Sequence, residues 1–439
     1  MPATTNILRR MAADAIPHAR PQPVDEQARQ VAAGIIDEVR AGGAEALRRF
    51  ATRLDGLVAD EPLVLDRGDL SDALDEISVD ERRVLEEAAV RIETFARVQR
   101  AAIADVSADV VVRGCGARIA RAGHRLVPVS CVGCYAPGGR HPLPSSVLMT
   151  AIPARVAGVE SVTVASPRPK KILKAAAAIA GVDRLLCAGG AQAIAALAMG
   201  TCTPSADLIV GPGNRFVTAA KQLLFGAVGI DLPAGPSELV LVIDGASSAA
   251  RAAADLLAQA EHDPDARPIL IAPDEECVAR VDAELHRQLA SLPTALVARQ
   301  ALAGGFAVIA SSRADMLAAI DAIAPEHLAL STADADEIEP LVRNAGAVFV
   351  GERSAEVFGD YGVGPNHVLP TGGAARFSAG LCVLSFLRAR TWIEVHDDPA
   401  LSGLARDTAA FARMEGLEAH ARAAEARLVI RGDLDSSIA

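Results

Sequence analysis

Short apolar runs alternate with alanine-rich stretches along most of this chain, and that alternation constrains the fold more than any other feature. Runs at 110–112, 161–165, 207–210, 239–243, 268–272 and 346–350 are short and mostly apolar throughout, so as strands they would be buried on both faces. Buried strands separated by helices predict α/β architecture with parallel sheets. From Gln27 to Val98 the pattern is helical, with Val31, Ile35, Ile36 and Val39 at helical spacing. After Arg376 and Phe377 the chain turns helical and charged, running through Asp407 to Arg427, which predicts a small separate C-terminal domain. At 439 residues, 51% hydrophobic and 22% charged, the sequence exceeds one ordinary core and divides into two or more domains.

Charge narrows the partners. With 43 basic against 55 acidic residues the formal charge is -12, which argues against nucleic acid and anionic membranes and for small-molecule ligands. No apolar stretch of about 18 residues runs free of charge or proline, and Arg9 and Arg10 are followed by acidic and proline residues instead of a signal-peptide core. The expectation is a cytoplasmic protein, neither exported nor membrane-spanning. Seven cysteines, among them Cys187, Cys202 and Cys382 in apolar runs, suit reduced thiols. Cys131 and Cys134 form a CxxC without a second pair at zinc-ribbon spacing, and read as buried structural residues.

Glycine turns and scattered metal-type ligands carry the chemistry. Gly211-Pro212-Gly213-Asn214 follows a strand and opens a helix from Phe216 to Leu224, Pro137-Gly138-Gly139 follows a strand-like stretch from Val127 to Tyr135, and Gly189-Gly190-Ala191-Gln192 opens another helix. Free N–H groups at such helix starts can meet an anion, but none of these is GxGxxG and each also serves as a plain strand-to-helix connection. Gln259 and His262 stand three apart at the end of an alanine-rich helix capped near Ser247 and Ser248 and stopped by Pro264, where the helix dipole favours a cation. On those two residues alone, a capping histidine and a solvated glutamine remain equally open. Pro325-Glu326-His327 reads as a helix start with an acid beside an imidazole, either a proton-handling pair or a surface acid and a satisfied histidine.

These clusters stand in segments that closely resemble histidinol dehydrogenases from Ile35 to Arg427. The specific stretches are Tyr135-Ala136-Pro137-Gly138-Gly139, 209–214, Ala234-Gly235-Pro236-Ser237-Glu238, 259–264, 325–328, 364–371 and 415–420. The resemblance implies two NAD-linked oxidations of L-histidinol, through the aldehyde, to L-histidine, the last reactions of histidine biosynthesis. It implies an α/β chain of two Rossmann-like domains with parallel sheets plus small helical N- and C-terminal segments. The divisions expected are a helical 1–30, a first domain of 31–130 and 238–378 carrying the Glu-His pair, a second of 131–237 on the NAD side, and a helical dimerisation domain of 379–439. Carried over residue by residue, it implies one Zn²⁺ per subunit on Gln259, His262, Asp360 and His420, a ligand set suited to a borderline metal. Ser237, His327, His367 and Glu415 would join them around the substrate, while Tyr135, Gln192 and Asn214 match NAD-contacting positions. His327 would take the hydroxyl proton as hydride leaves for NAD, and Glu326 would activate water to form the gem-diol of the second oxidation. The implied assembly is a homodimer with intertwined C-terminal domains. Because His367 and Glu415 keep an imidazole-binding pattern, histidinol is favoured over the hydroxy-sulfonate of sulfopropanediol-type relatives. A catalytically silent zinc protein and a thiol-dependent aldehyde oxidiser using Cys131 or Cys134 are the rivals, and neither cysteine has a basic neighbour in sequence.

Overall fold

The computed structural model describes residues 6–12, 15–16, 24–111, 118–138, 142–232, 235–396 and 401–428; Val112, Gly139 and Ala234, which the sequence reading used, lie outside them. The chain forms two compact units, residues 1–100 with 129–386, and residues 101–128 with 387–439.

The larger unit contains two six-stranded sheets built on one plan. In the first, β10 (Glu238–Ile243), β11 (Arg267–Ala272), β12 (Phe306–Ile309), β13 (His327–Ser331) and β14 (Ala347–Val350) lie in the order β12-β11-β10-β13-β14, with β1 (Arg9–Met11) beside β12. All its pairings are parallel. In the second, β5 (Cys131–Tyr135), β6 (Ser161–Ala165), β7 (Arg184–Leu186), β8 (Leu208–Val210) and β9 (Gly229–Ile230) lie parallel in the order β7-β6-β5-β8-β9. A short β2 (Val64–Leu65) pairs antiparallel with β7. Counted from β5 or from β10, the parallel strands follow the order 3-2-1-4-5, so the direction of winding switches between β5 and β8 and between β10 and β13.

Alternation of side chains explains why these strands read as continuous apolar runs. Leu239, Leu241 and Ile243 of β10 face α8 (Ala249–Ala260), α9 (Glu275–Leu289) and α10 (Ala295–Gly304), packing with Leu256, Leu257, Val281 and Leu285. Val240 and Val242 face the other way, onto Met316 and Ile320 of α11 (Arg313–Ile323) and Ile338 of α12 (Ala335–Ile338). Burying each such side chain is worth roughly 1.5–3 kcal/mol, and a polar side chain in a strand with two covered faces needs a partner to offset its burial.

The second sheet takes its cover from α4 (Pro144–Ala157), α5 (Lys171–Ile179), α6 (Gly190–Met199) and α7 (Arg215–Leu224). Here the expected division of 31–130 with 238–378 departs from the contacts. The 25-residue α1 (Glu26–Phe50) packs on α6 and α7, and α2 (Arg67–Asp72) on α5, so this stretch joins the second sheet, after which come α3 (Val79–Ala101) and later α13 (Val357–Tyr361). The N-terminal segment expected as helical contributes β1, because Arg9, Arg10 and Met11 extend the edge next to β12.

In the smaller unit β3 (Val106–Val111), β4 (Arg118–Pro128) and β15 (Leu387–Val395) form an antiparallel sheet. Residues 110–111 therefore sit in an exposed edge strand, not a buried parallel one. The C-terminal segment read as wholly helical begins with β15, and only then come α14 (Leu401–Met414) and α15 (Glu418–Glu425).

Candidate active site

Glu326 and His327 open a strand, not a helix. Ala324 ends α11 in the left-handed region (φ 50°), and Pro325 cannot extend α11, which turns Glu326 and His327 onto the sheet with His327 opposite Leu239 and Ala347. Both residues are buried, at 6% and 4% exposure. The start of β10 supplies their partners. The Ser237 hydroxyl donates to Glu326 Oε2 at 2.6 Å and the Glu238 N–H to the same oxygen at 2.8 Å. His327 Nδ1 lies 3.1 Å from the Glu238 carbonyl oxygen. A carbonyl only accepts, so Nδ1 carries the hydrogen and Nε2 is left with the lone pair of a base.

Burial pushes Glu326 up to about 8, against the pull of its Ser237 and Glu238 hydrogen bonds and with the charges of Glu238 and Asp360 adding to the rise. A carboxyl poised near neutrality is what a general base for water requires. Glu356, which sequence reasoning missed, faces His327 Nε2 at 3.7 Å. It is 1% exposed, neither of its oxygens has a hydrogen-bond partner, and burial pushes it up to about 7. Its sequence signal was the four-residue spacing to Asp360 across one helical turn.

The metal-type residues divide between the units. Gln259, at the end of α8, is fully buried with both amide atoms unpartnered, so the solvated reading of it fails. His262 lies past the helix, in a turn after Ala260, and the two do not share a helix face as the spacing suggested. Burial lowers His262, while Asp360 raises it in part and His327 and His367 lower it further. Burial would raise Asp360, but the hydrogen bond and charge of His367, with His327 and His262 near, hold it below its ordinary value. His367 Nδ1 stands 3.4 Å from Asp360 Oδ1. Side-chain atoms of His327, Glu356 and Asp360 lie within 4.8 Å of one another. Glu415, between α14 and α15, and His420, on α15, belong to the smaller unit, where both are exposed.

The residues expected at NAD gather at the other sheet, around the switch between β5 and β8. Tyr135, the last residue of β5, is buried and its hydroxyl accepts from the Gly190 N–H at 3.0 Å. Gln192 is 1% exposed and donates to Asp55 Oδ2 at 3.1 Å, the same oxygen that accepts from the Gly189 N–H at 2.9 Å. Asn214 caps α7, accepting from the Phe216 and Val217 N–H groups at 3.0 and 3.1 Å. Gly211, at φ 112°, presses so closely on this crevice that a Cβ would meet the Tyr135 carbonyl oxygen at 2.2 Å. For Cys134 the thiol route finds no support: burial pushes its thiol up to about 12, far from a usable thiolate.

Twin sheets of dinucleotide-binding order, with a buried acid-imidazole pair beside a cluster of nitrogen and oxygen ligands, define an α/β oxidoreductase. The histidinol dehydrogenase family model matches residues 18–428. Histidinol dehydrogenase of Thermus thermophilus is 46% identical over 407 residues, covering 92% of this chain and 95% of that one. The Pseudomonas aeruginosa protein of that name is 44% identical over 414 residues, covering 92% of both. The crystal structure of histidinol dehydrogenase from Elizabethkingia anophelis superposes with a TM-score of 0.87 at 30% identity, covering 97% of this chain and 98% of that one. The chain belongs to the histidinol dehydrogenase family.

Proposed function

We propose that this protein oxidises L-histidinol through L-histidinaldehyde to L-histidine, reducing two NAD. The observation that carries the reading is the environment of Glu326 and His327. Two different bases sit side by side, an imidazole with a free Nε2 and a carboxyl raised to about 8, as two different proton removals require. In the first half-reaction His327 Nε2 takes the carbinol proton as hydride leaves for the nicotinamide. In the second, Glu326 removes a proton from a water whose oxygen adds to the aldehyde carbon, the aldehyde oxygen takes the proton His327 holds to give the gem-diol, and His327 then takes a gem-diol proton as the second hydride leaves for a second NAD. Ser237 holds Glu326 through its hydroxyl.

The residues present fit a divalent metal, because a fully buried Gln259 Oε1 with no partner would otherwise be an uncompensated cost of about 1–3 kcal/mol. Gln259, His262, Asp360 and His420 of the partner subunit would hold it, as Zn²⁺, and its charge would fix the substrate's nitrogen atoms. His367 and Glu415 of the partner subunit would take the imidazole end. Exposed apolar side chains support a pocket closed by a second chain: Phe358, Tyr361 and Val363 flank Asp360, and Phe411, Met414 and Leu417 flank Glu415.

The crevice at the ends of β5 and β8, with its close glycine contacts and Tyr135, Gln192 and Asn214 around it, supports NAD there. The six described cysteines are all free, in keeping with a reducing, cytoplasmic compartment. Among the described residues, no helix is long and apolar enough to cross a membrane. The test is stoichiometry: purified protein supplied with histidinol should yield two equivalents of NADH and one of histidine. One equivalent, with aldehyde accumulating, would refute it.

A further inference from the structure

Lys221 is among the bulkiest fully buried side chains, and its purpose lies ten residues back. From α7 its ammonium donates to the Gly211 carbonyl oxygen at 3.0 Å and pairs with Asp231 Oδ1. Asp231, just past β9, accepts from the Gly211 N–H at 2.6 Å through Oδ2 and from the Leu232 N–H at 2.6 Å through Oδ1. The side chains are 2% and 4% exposed. Such a pair is not an economical way to gain stability, since apolar residues of the same volume commonly do as well. What it does here is specific: both polar groups of one residue, Gly211, are held by opposite charges. Gly211 in turn presses on the Tyr135 backbone, and the Tyr135 hydroxyl meets the start of α6. One ion pair therefore fixes the opening between β5 and β8.

We propose that Lys221 and Asp231 are positioning residues for the dinucleotide. They clamp Gly211 and so present the loop from Gly211 to Asn214 in the form that receives NAD. This inference rests on the NAD-dependent reading above. Both side chains are buried, and neither residue belongs to the sheet that carries Glu326 and His327. Their loss is thus expected to act on NAD alone.

The test is the double variant Lys221→Met/Asp231→Asn, which removes both charges together and leaves the Gly211 carbonyl without its donor. Titration calorimetry should show NAD affinity weakened about tenfold or more, the scale of a lost anchoring hydrogen bond with the order it imposed. The KM for histidinol at saturating NAD and the metal content per chain should stay at wild-type values. The single Asp231→Asn, which keeps one acceptor oxygen in place of two and leaves the Lys221 ammonium without its counter-charge, should weaken NAD at least as much with the same selectivity. Wild-type NAD affinity in either folded variant overturns the proposal, as do equal losses for NAD and histidinol. A wild-type protein that reduces no NAD with histidinol overturns the functional reading itself, whereas normal wild-type turnover with unshifted variants overturns only the role of the pair.

Discussion

Glu326→Gln should make the metal-free protein more stable, and increasingly so as pH rises. Glutamine has the shape of the protonated acid, and its amide oxygen can accept the Ser237 hydroxyl and the Glu238 N–H that Glu326 Oε2 now accepts. The folded protein raises Glu326 from 4.5 to about 8, chiefly by burial. Because the folded-state value lies above the unfolded one, the proton favours the fold, and that contribution is complete below about pH 4.5 and lost as pH climbs towards 8. At about 1.36 kcal/mol per pH unit the loss has an upper bound of about 5 kcal/mol, and relaxation around the new charge reduces it to a few. The variant does not suffer this loss. Thermal melts of chelator-treated wild type and variant should nearly coincide at pH 5, then separate by several degrees at pH 8.5 in favour of Glu326→Gln. A separation that does not change with pH would refute the buried, proton-holding carboxyl on which the second half-reaction depends.

Three further outcomes are expected. His262→Ala should lose bound metal, measured by plasma mass spectrometry, and nearly all turnover with an unchanged circular dichroism spectrum, since the residue lies beyond the end of α8; stoichiometric metal with normal turnover would contradict the ligand assignment. With histidinaldehyde supplied directly, Glu326→Gln should slow aldehyde oxidation on the order of 10²–10⁴-fold while impairing alcohol oxidation less, whereas His327→Asn should damage both; equal effects of Glu326→Gln on the two would contradict the division of labour. Inactive His327→Ala and His420→Ala chains, allowed to exchange subunits, should recover roughly a quarter of wild-type activity if each pocket draws on two chains, and no recovery after verified exchange would return His420 to its own chain.

Much of the sheet architecture was legible because both-face burial leaves a plain trace. The residues 161–165 run coincides with β6, and 239–243 and 268–272 with nearly all of β10 and β11. The strand that carries the chemistry was misread. In β13 the apolar signal is only Leu328-Ala329-Leu330, residues equally at home in a helix, and Pro325 ahead of an acid imitates a helix start. The edge strand β1, Arg-Arg-Met, has no intrinsic signal and exists through its pairing with β12. By contrast β15 did carry one, since Leu387, Ala389, Thr391, Ile393 and Val395 alternate with Arg388, Arg390, Trp392 and Glu394. The metal-type residues were legible by chemical type and motif, whereas Glu356 left only its four-residue spacing to Asp360, and its importance shows through burial and two unpartnered oxygens.

The two sheets share an order but use opposite ends. At the second sheet the site expected for NAD is where topology puts it, outside the carboxyl ends of β5 and β8. The equivalent crevice of the first sheet is filled by the protein's own anions. Asp244, just past β10, accepts from the N–H groups of Ala246, Ser247 and Ala333, and Glu352 accepts from the Ser248 N–H at the start of α8 while pairing with Arg251. Those are the donors a phosphate would need, so a second dinucleotide has nothing to bind there. Ser237, Glu238, Glu326 and His327 instead meet at the opposite edge, where β10 and β13 begin. On the reading proposed above, one sheet keeps for the cofactor the end its fold opens, whereas its twin closes that end with Asp244 and Glu352 and gathers Glu326 and His327 where its central strands begin.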